Sequence, residues 1–212
     1  MEALRQIVET PRARASSAPP ELSRALVEAA CRREPVACRA LIRRYQRPVA
    51  SLLSRMLGPA GLGHLVEDLA QDTMVRAFGA LPRFDPEGPA KLSTWILKIA
   101  TRLAINELQR RRPPTEPIVT TEERLSGPHA ADRDHRRATI ARAIQDAVGQ
   151  LSPEIRAAFL LREYHGLDYA EIARMLELEM GTVKSRLSRA RASLRRALGE
   201  IHSLHPEHDD HG

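Results

Sequence analysis

Aromatic residues are scarce in this chain of 212 residues: one Trp, three Tyr and three Phe, together 3%. Cysteine is scarcer still, with two residues, which excludes a disulfide-stapled scaffold and points to a reducing compartment. No apolar run approaches the roughly 18 residues needed to cross a bilayer, so no membrane insertion is expected. The opening stretch MEALRQIVETPRARA has no apolar core, so no secretory signal is expected. Strand-like alternation and internal repeats are absent. So is any nucleophile–base set, phosphate-binding glycine loop or metal-catalysis signature, and the sequence therefore reads as a non-enzyme with no cofactor. Lys is rare too: 30 of the 33 basic residues are Arg, as a GC-rich coding bias would produce.

What is present is positive charge, unevenly placed. The formal net charge is +6. Residues 31–112 carry net +8 and residues 140–198 net +3, residues 113–139 carry net −1 and the end, 199–212, carries net −4. Two basic blocks around a neutral stretch suggest two modules that meet a polyanion.

The apolar spacing is helical throughout. The first 20 residues, including RARASSAPP, are too poor in large apolar groups to build a core and are expected to be disordered. Leu22, Ala25, Leu26 and Ala29 then recur at helical spacing. After Pro35 a longer helix carries Leu41, Ile42, Tyr45, Val49, Leu52, Leu53 and Met56, ending at Gly58-Pro59. A third helix is expected over 64–81 with a stripe of Leu65, Leu69, Met74, Val75 and Phe78. PRFDPEGPA (82–90) is a loop. A fourth helix over 91–112 carries Leu92, Trp95, Ile96, Ile99, Leu103, Ile105 and Leu108, and Pro113-Pro114 ends it. The stretch 113–135 is proline-rich and lacks periodicity, as a flexible linker would. Helices resume near Arg136.

The expected organisation is therefore all-α. It comprises a disordered extension (1–20), a four-helix domain (21–112), a linker (113–135), a second helical domain (136–198) and a His-rich acidic tail (199–212).

The strongest feature is the end of the second domain. Ser152 caps a helix with Pro153 at its first position. Asp168 caps the next, with Glu171 three residues on, as in a capping box. A tight turn over 177–180 leads to TVKSRLSRARASLRRAL (182–198), which holds six cations and no acid. A short helix, a turn and a longer helix make a helix-turn-helix, with small Ala173 at the crossing. Val183, Leu187, Ala190, Leu194 and Leu198 face inward, and Lys184, Arg186, Arg189, Arg191, Arg195 and Arg196 lie outside that stripe. Such a helix in the major groove gains from counterion release and can place Arg on guanine edges.

The segment LSPEIRAAFLLREYHGLDYAEIARMLELEMGTVKSRLSRARASLRRAL (151–198) resembles region 4 of bacterial sigma factors, most closely the extracytoplasmic-function (ECF) group of the sigma-70 family. EDLAQDTMVRAFGALPRFDP (67–86) is similar to that family's region 2.2, and KLSTWILKIATRLAINELQRRRP (91–113) to its regions 2.3 and 2.4. The resemblance implies a transcription initiation factor that directs RNA polymerase core to promoters. The helix at 91–112 would read and melt the −10 element through Lys91, Ser93, Thr94, Trp95, Lys98, Arg102 and Asn106. The basic helix would read the −35 duplex through Thr182, Lys184, Ser185, Arg186 and Arg189, with Arg191 on phosphate. Asp68, Leu69, Gln71, Asp72, Val75, Arg76 and Phe78 would dock on the polymerase clamp, and region 4 on the flap. A cytoplasmic location follows, and control by an anti-sigma factor is left open. With Trp95 the sole tryptophan, shaped pockets and Arg would do much of the work on unpaired bases.

Two features depart from the pattern. The family's turn has Gly and Pro where this chain has Glu177 and Glu179, and a non-Gly residue in a left-handed turn costs on the order of 1 kcal/mol. His202, His205, His208 and His211 recur every third residue among acids, a weak candidate for divalent-metal binding. Two rival readings remain: a stand-alone helix-turn-helix regulator, which leaves 67–112 without a role, and a protein-binding sigma mimic, which has no use for six cations on one helix.

Overall fold

A computed structural model describes residues 21–88, 90–111 and 143–204, with side chains through residue 197. The expected N-terminal extension, the linker and the histidines of the tail lie outside the described residues and side chains. Every regular element among the described residues is helical.

The first module contains α1 (Arg24–Cys31), α2 (Pro35–Leu57), α3 (Val66–Ala80) and α4 (Leu92–Arg110). Pro35 does not break a helix but starts one, at the first position, where a missing N–H leaves nothing unpaired. Along α2, Leu41, Tyr45, Val49, Leu52, Leu53 and Met56 are buried, while Ile42 from the expected face is exposed. Buried on α4 are Leu92, Ile96, Leu97, Ala100, Ala104 and Leu108, with Trp95, Ile99 and Ile105 at the edge of the core. Small Ala100 and Ala104 let α4 lie close against α2. The backbone N–H of Ser93 in the first turn of α4 donates to Glu21 Oε2 (3.3 Å), and that oxygen also receives Tyr45 Oη–H (3.1 Å). A carboxylate 72 residues away thus serves a helix start that has no side-chain cap of its own. Cys31 and Cys38 are free thiols, both half-buried.

The second module contains a helix at 143–149 (α5), α6 (Pro153–Glu163), α7 (Tyr169–Leu176) and α8 (Met180–Leu204). Ala157, Ala158, Leu160, Leu161, Ile172, Met175, Val183, Leu187 and Ala190 fill its core.

The two modules pack directly on each other. Arg156 on α6 is buried and has no carboxylate partner among the described residues. Its guanidinium donates to the carbonyls of Val148 (3.0 Å), Gly149 and Leu151 (3.1 Å), and across the interface to Met56 (2.5 Å). The ends of α2 and α5 meet at this one cation, which is where the helix dipole places negative charge. Gly149 lies so close to Pro59 that an added Cβ would sit 2.8 Å from the proline Cβ.

His165 is buried at the same interface, and its Nε2 has no hydrogen-bond partner among the described residues. It lines a cavity of about 30 Å³ that also receives Tyr45, Lys91, Thr94 and Glu171. Burial, with a smaller contribution from the nearby Arg55 cation, pushes its pKa down from 6.5 to about 4. The folded state therefore prefers neutral imidazole, whereas an unfolded or opened state takes up a proton near pH 6.5. Stability should fall as pH drops from about 6.5 to about 4, by at most about 3 kcal/mol, and this contribution should level off below that. Thermal denaturation across this range should show a shallower slope for His165→Gln. An equal slope in both proteins would remove His165 as the cause.

Candidate nucleic-acid interface

The helix-turn-helix forms from local signals that are all satisfied. Asp168 Oδ1 accepts the Glu171 N–H (2.7 Å) and Glu171 Oε2 accepts the Asp168 N–H (2.8 Å), completing the capping box. Helix α7 ends at Glu177, which sits in the left-handed region (φ 56°, ψ 49°). The Leu178 N–H closes the turn on the Ala173 carbonyl (2.9 Å), and Ala173 is buried at the crossing. Glu179 starts α8 with its backbone carbonyl, accepting from the Thr182 and Val183 N–H groups (3.0 and 3.2 Å).

On α8, Val183, Leu187, Ala190 and Leu194 are buried, as their spacing predicts. Thr182, Lys184 and Arg189 are exposed on the opposite side, and Ser185 and Arg186 flank them half-buried. Arg191 is half-buried and held within the fold. Its guanidinium donates to Tyr169 Oη (3.3 Å) and Glu163 Oε1 (3.3 Å). These bonds tie α8 to α7 and α6, so Arg191 braces the fold. Arg195 and Arg196 are exposed further along. The result is an amphipathic helix with an exposed cationic face at its N-terminal half, the geometry that enters a major groove.

The candidates on α4 divide into groups. Lys91, Arg102 and Asn106 are exposed and Lys98 is half-buried. Trp95 is half-buried and tilts against Phe84, ring centroids 5.4 Å apart. Ser93 and Thr94, expected at a DNA surface, are buried, at 6% and 9% exposure. They line one cavity together with His165, Gly166 and Leu167 of the second module. A helical wheel does not show that burial, because the other walls of the cavity come from residues tens of positions away.

Two cations of α4 and the Lys91 that caps it are paired across the same interface. Lys98 Nζ and Arg102 Nη2 both meet Glu177 Oε1 (2.8 and 2.6 Å), and Lys91 Nζ meets Glu171 Oε1 (3.2 Å). The Lys98 hydrogen bond, then the charges of Lys98 and Arg102, hold the Glu177 carboxyl below its ordinary range. The unusual acid at 177 was legible in the sequence; its partners were not.

On α3, Asp68, Gln71, Asp72 and Val75 share one outward face. Val75, expected in the apolar stripe, is 63% exposed. Arg76 Nε is paired with Asp72 Oδ1 (2.9 Å). Leu69 and Phe78 instead pack against the core, so they position the face and present little of it.

The family model for Sigma-70 region 2 matches residues 41–113, and that for Sigma-70 region 4 matches residues 141–194. The RNA polymerase sigma-H factor of Pseudomonas aeruginosa is 32% identical over 187 residues, covering 84% of this chain and 94% of that protein. This chain is an ECF sigma factor. The ECF RNA polymerase sigma-E factor of Escherichia coli is 34% identical over 182 residues, covering 80% of this sigma factor and 90% of its relative. Among solved structures, CnrH in complex with the cytosolic domain of CnrY aligns with a TM-score of 0.59 at 26% identity, covering 84% of this chain and 97% of that one. The sigma factor RpoE of Bartonella quintana, solved with the anti-sigma factor NepR, shares the fold at a TM-score of 0.52 and 22% identity, covering 71% and 91%. As an ECF sigma factor the chain serves transcription initiation with RNA polymerase core and promoter DNA. Among the described residues no helix is long and apolar enough to cross a membrane.

Proposed function

We propose that α8 reads the −35 duplex through Thr182, Lys184, Ser185, Arg186 and Arg189, and that α4 engages the −10 element through Lys91, Lys98, Arg102 and Asn106. Trp95 belongs to the same set, and Ser93 and Thr94 join it once the second module moves away. The observation that carries the −35 assignment is the exposure of Lys184 and Arg189 on a helix whose opposite face is fully buried. Base edges are specified by such side chains, while the remaining cations position the helix on phosphate.

The outward face of α3 is the surface for polymerase core, with Asp68, Gln71, Asp72 and Val75 in contact and Arg76 held by Asp72. Val75→Glu should weaken binding to core at least about tenfold, since it places a desolvated charge at an apolar contact, while leaving the thermal midpoint of the free chain unchanged. Equal affinity in a core-binding titration would remove this face from the interface.

On this reading the chain works in the cytoplasm and has no catalytic step of its own; the polymerase performs the chemistry. Both solved structures reported above carry a second protein, which supports an anti-sigma partner for this chain as well. Domain limits near 21–112 and 136–198, a linker over 113–135 and a separate tail from 199 belong to the same proposal. The tail histidines, His202, His205, His208 and His211, have no assigned role.

Purified core polymerase plus this chain, transcribing genomic DNA, should yield a discrete set of RNA 5′ ends with a shared upstream pair of elements. DNA footprints without core, and no initiation with it, would favour a stand-alone regulator.

A further inference from the structure

We propose that the Glu177 carboxylate acts as an intramolecular stand-in for a DNA phosphate, closing the free chain over its own −10 surface. The inference rests on the assignment of α4 to the −10 element. Lys98 and Arg102 converge on one carboxylate oxygen of Glu177, while Glu171 takes Lys91. Ser93 and Thr94 are buried, and they line one cavity with His165, Gly166, Leu167 and Glu171 of the same module. The cations that would meet promoter phosphates thus meet acids of the helix-turn-helix instead.

Distance makes the two engagements exclusive. The −10 and −35 elements lie about 25 base pairs apart, on the order of 80 Å of duplex at about 3.4 Å per pair. Here the turn before the −35 helix touches the −10 helix at hydrogen-bond distance. A chain in this arrangement cannot span a promoter, so the modules separate before both elements are read.

Local backbone energetics do not account for the acid at 177. The residue has φ 56°, a conformation in which glycine would remove a cost of about 1 kcal/mol. The cross-module ion pairs give the side chain a role that the turn does not. Those pairs are half-exposed, and exposed pairs contribute little each. The clamp is therefore weak enough for polymerase core or a dense polyanion to displace, as a reversible mask requires.

Gly149 supplies an independent way to open the interface without changing charge. A Cβ there would sit 2.8 Å from the Pro59 Cβ, a ring atom with little freedom to retreat.

The test uses the full chain without core, in two measurements. Small-angle scattering reports separation of the modules, and fluorescence anisotropy reports affinity for a labelled mixed-sequence single-stranded 20-mer. Glu177→Gln and Gly149→Ala should both enlarge the radius of gyration and raise single-strand affinity about fivefold, as unmasking a competent state does. Glu179→Gln removes the same charge from an exposed neighbour and should change neither reading. Unchanged scattering for both Glu177→Gln and Gly149→Ala would overturn the proposal, as would equal affinity gains for Glu177→Gln and Glu179→Gln. Failure of the −10 assignment reads out differently. It would appear as undiminished promoter opening by holoenzyme carrying Lys98→Gln and Arg102→Gln, whatever the scattering of the free chain.

Discussion

Arg156→Ala is expected to lower the unfolding free energy of the second module by about 3–5 kcal/mol. The guanidinium is buried and serves four backbone carbonyls: those of Val148, Gly149, Leu151 and, from the other module, Met56. Truncation leaves these acceptors in an apolar interior, each losing a charge-assisted bond that water cannot replace without breaking the packing. Burial lowers the Arg156 pKa, but a guanidinium keeps its proton in any protein, so the loss is one of hydrogen bonds and not of a titration. A module of this size has only a few kcal/mol in reserve, so most of it should be unfolded at 37 °C. Amide exchange should show protection lost first in α5 and α6. Arg156→Lys should restore only a part, because a single ammonium cannot fork between the ends of two helices. A variant as stable as the parent in chemical denaturation would show that water satisfies those carbonyls.

Replacing Lys184 and Arg189 together by Gln should reduce promoter-specific transcription by about 100-fold, with the fold intact. Both residues are exposed, and among the described residues no hydrogen bond holds either in the way that Arg191 is held. Gln is nearly as good a helix former as Lys or Arg. Each base-edge contact is worth about 1–3 kcal/mol of discrimination, and two lost cations should reduce the slope of log affinity against log salt by about two. Holoenzyme binding to a promoter fragment at several salt concentrations measures both. Arg191→Gln should behave differently, lowering the thermal midpoint because it unties α8 from Tyr169 and Glu163. If the double variant transcribes normally, the reading face is elsewhere on α8.

Much of the site was legible in the sequence because its elements are built from local rules. The capping box at Asp168 and Glu171, the buried Val183–Leu187–Ala190–Leu194 stripe and the cationic face opposite are fixed by spacing within a few turns of helix. The left-handed turn at Glu177 was likewise readable as a departure from a glycine position. Periodicity misjudged residues whose environment is set from elsewhere. Val75 falls on the apolar stripe by spacing yet is exposed, because α3 presents that edge to no neighbour among the described residues. The bonds of Arg191 to Tyr169 and Glu163 on other helices are likewise beyond the reach of periodicity.

The sequence by itself determined the helical class, the order of the two modules, the helix caps and the faces of α8. These follow from 3.6-residue periodicity and from hydrogen bonds that reach three or four residues. Tertiary structure alone decided which cations are paired across the modules. The Lys98 and Arg102 pairs with Glu177, the burial of Ser93 and Thr94, and the two helix ends gathered on Arg156 join residues tens of positions apart. Contacts at that separation depend on how whole faces pack, and no local spacing encodes them.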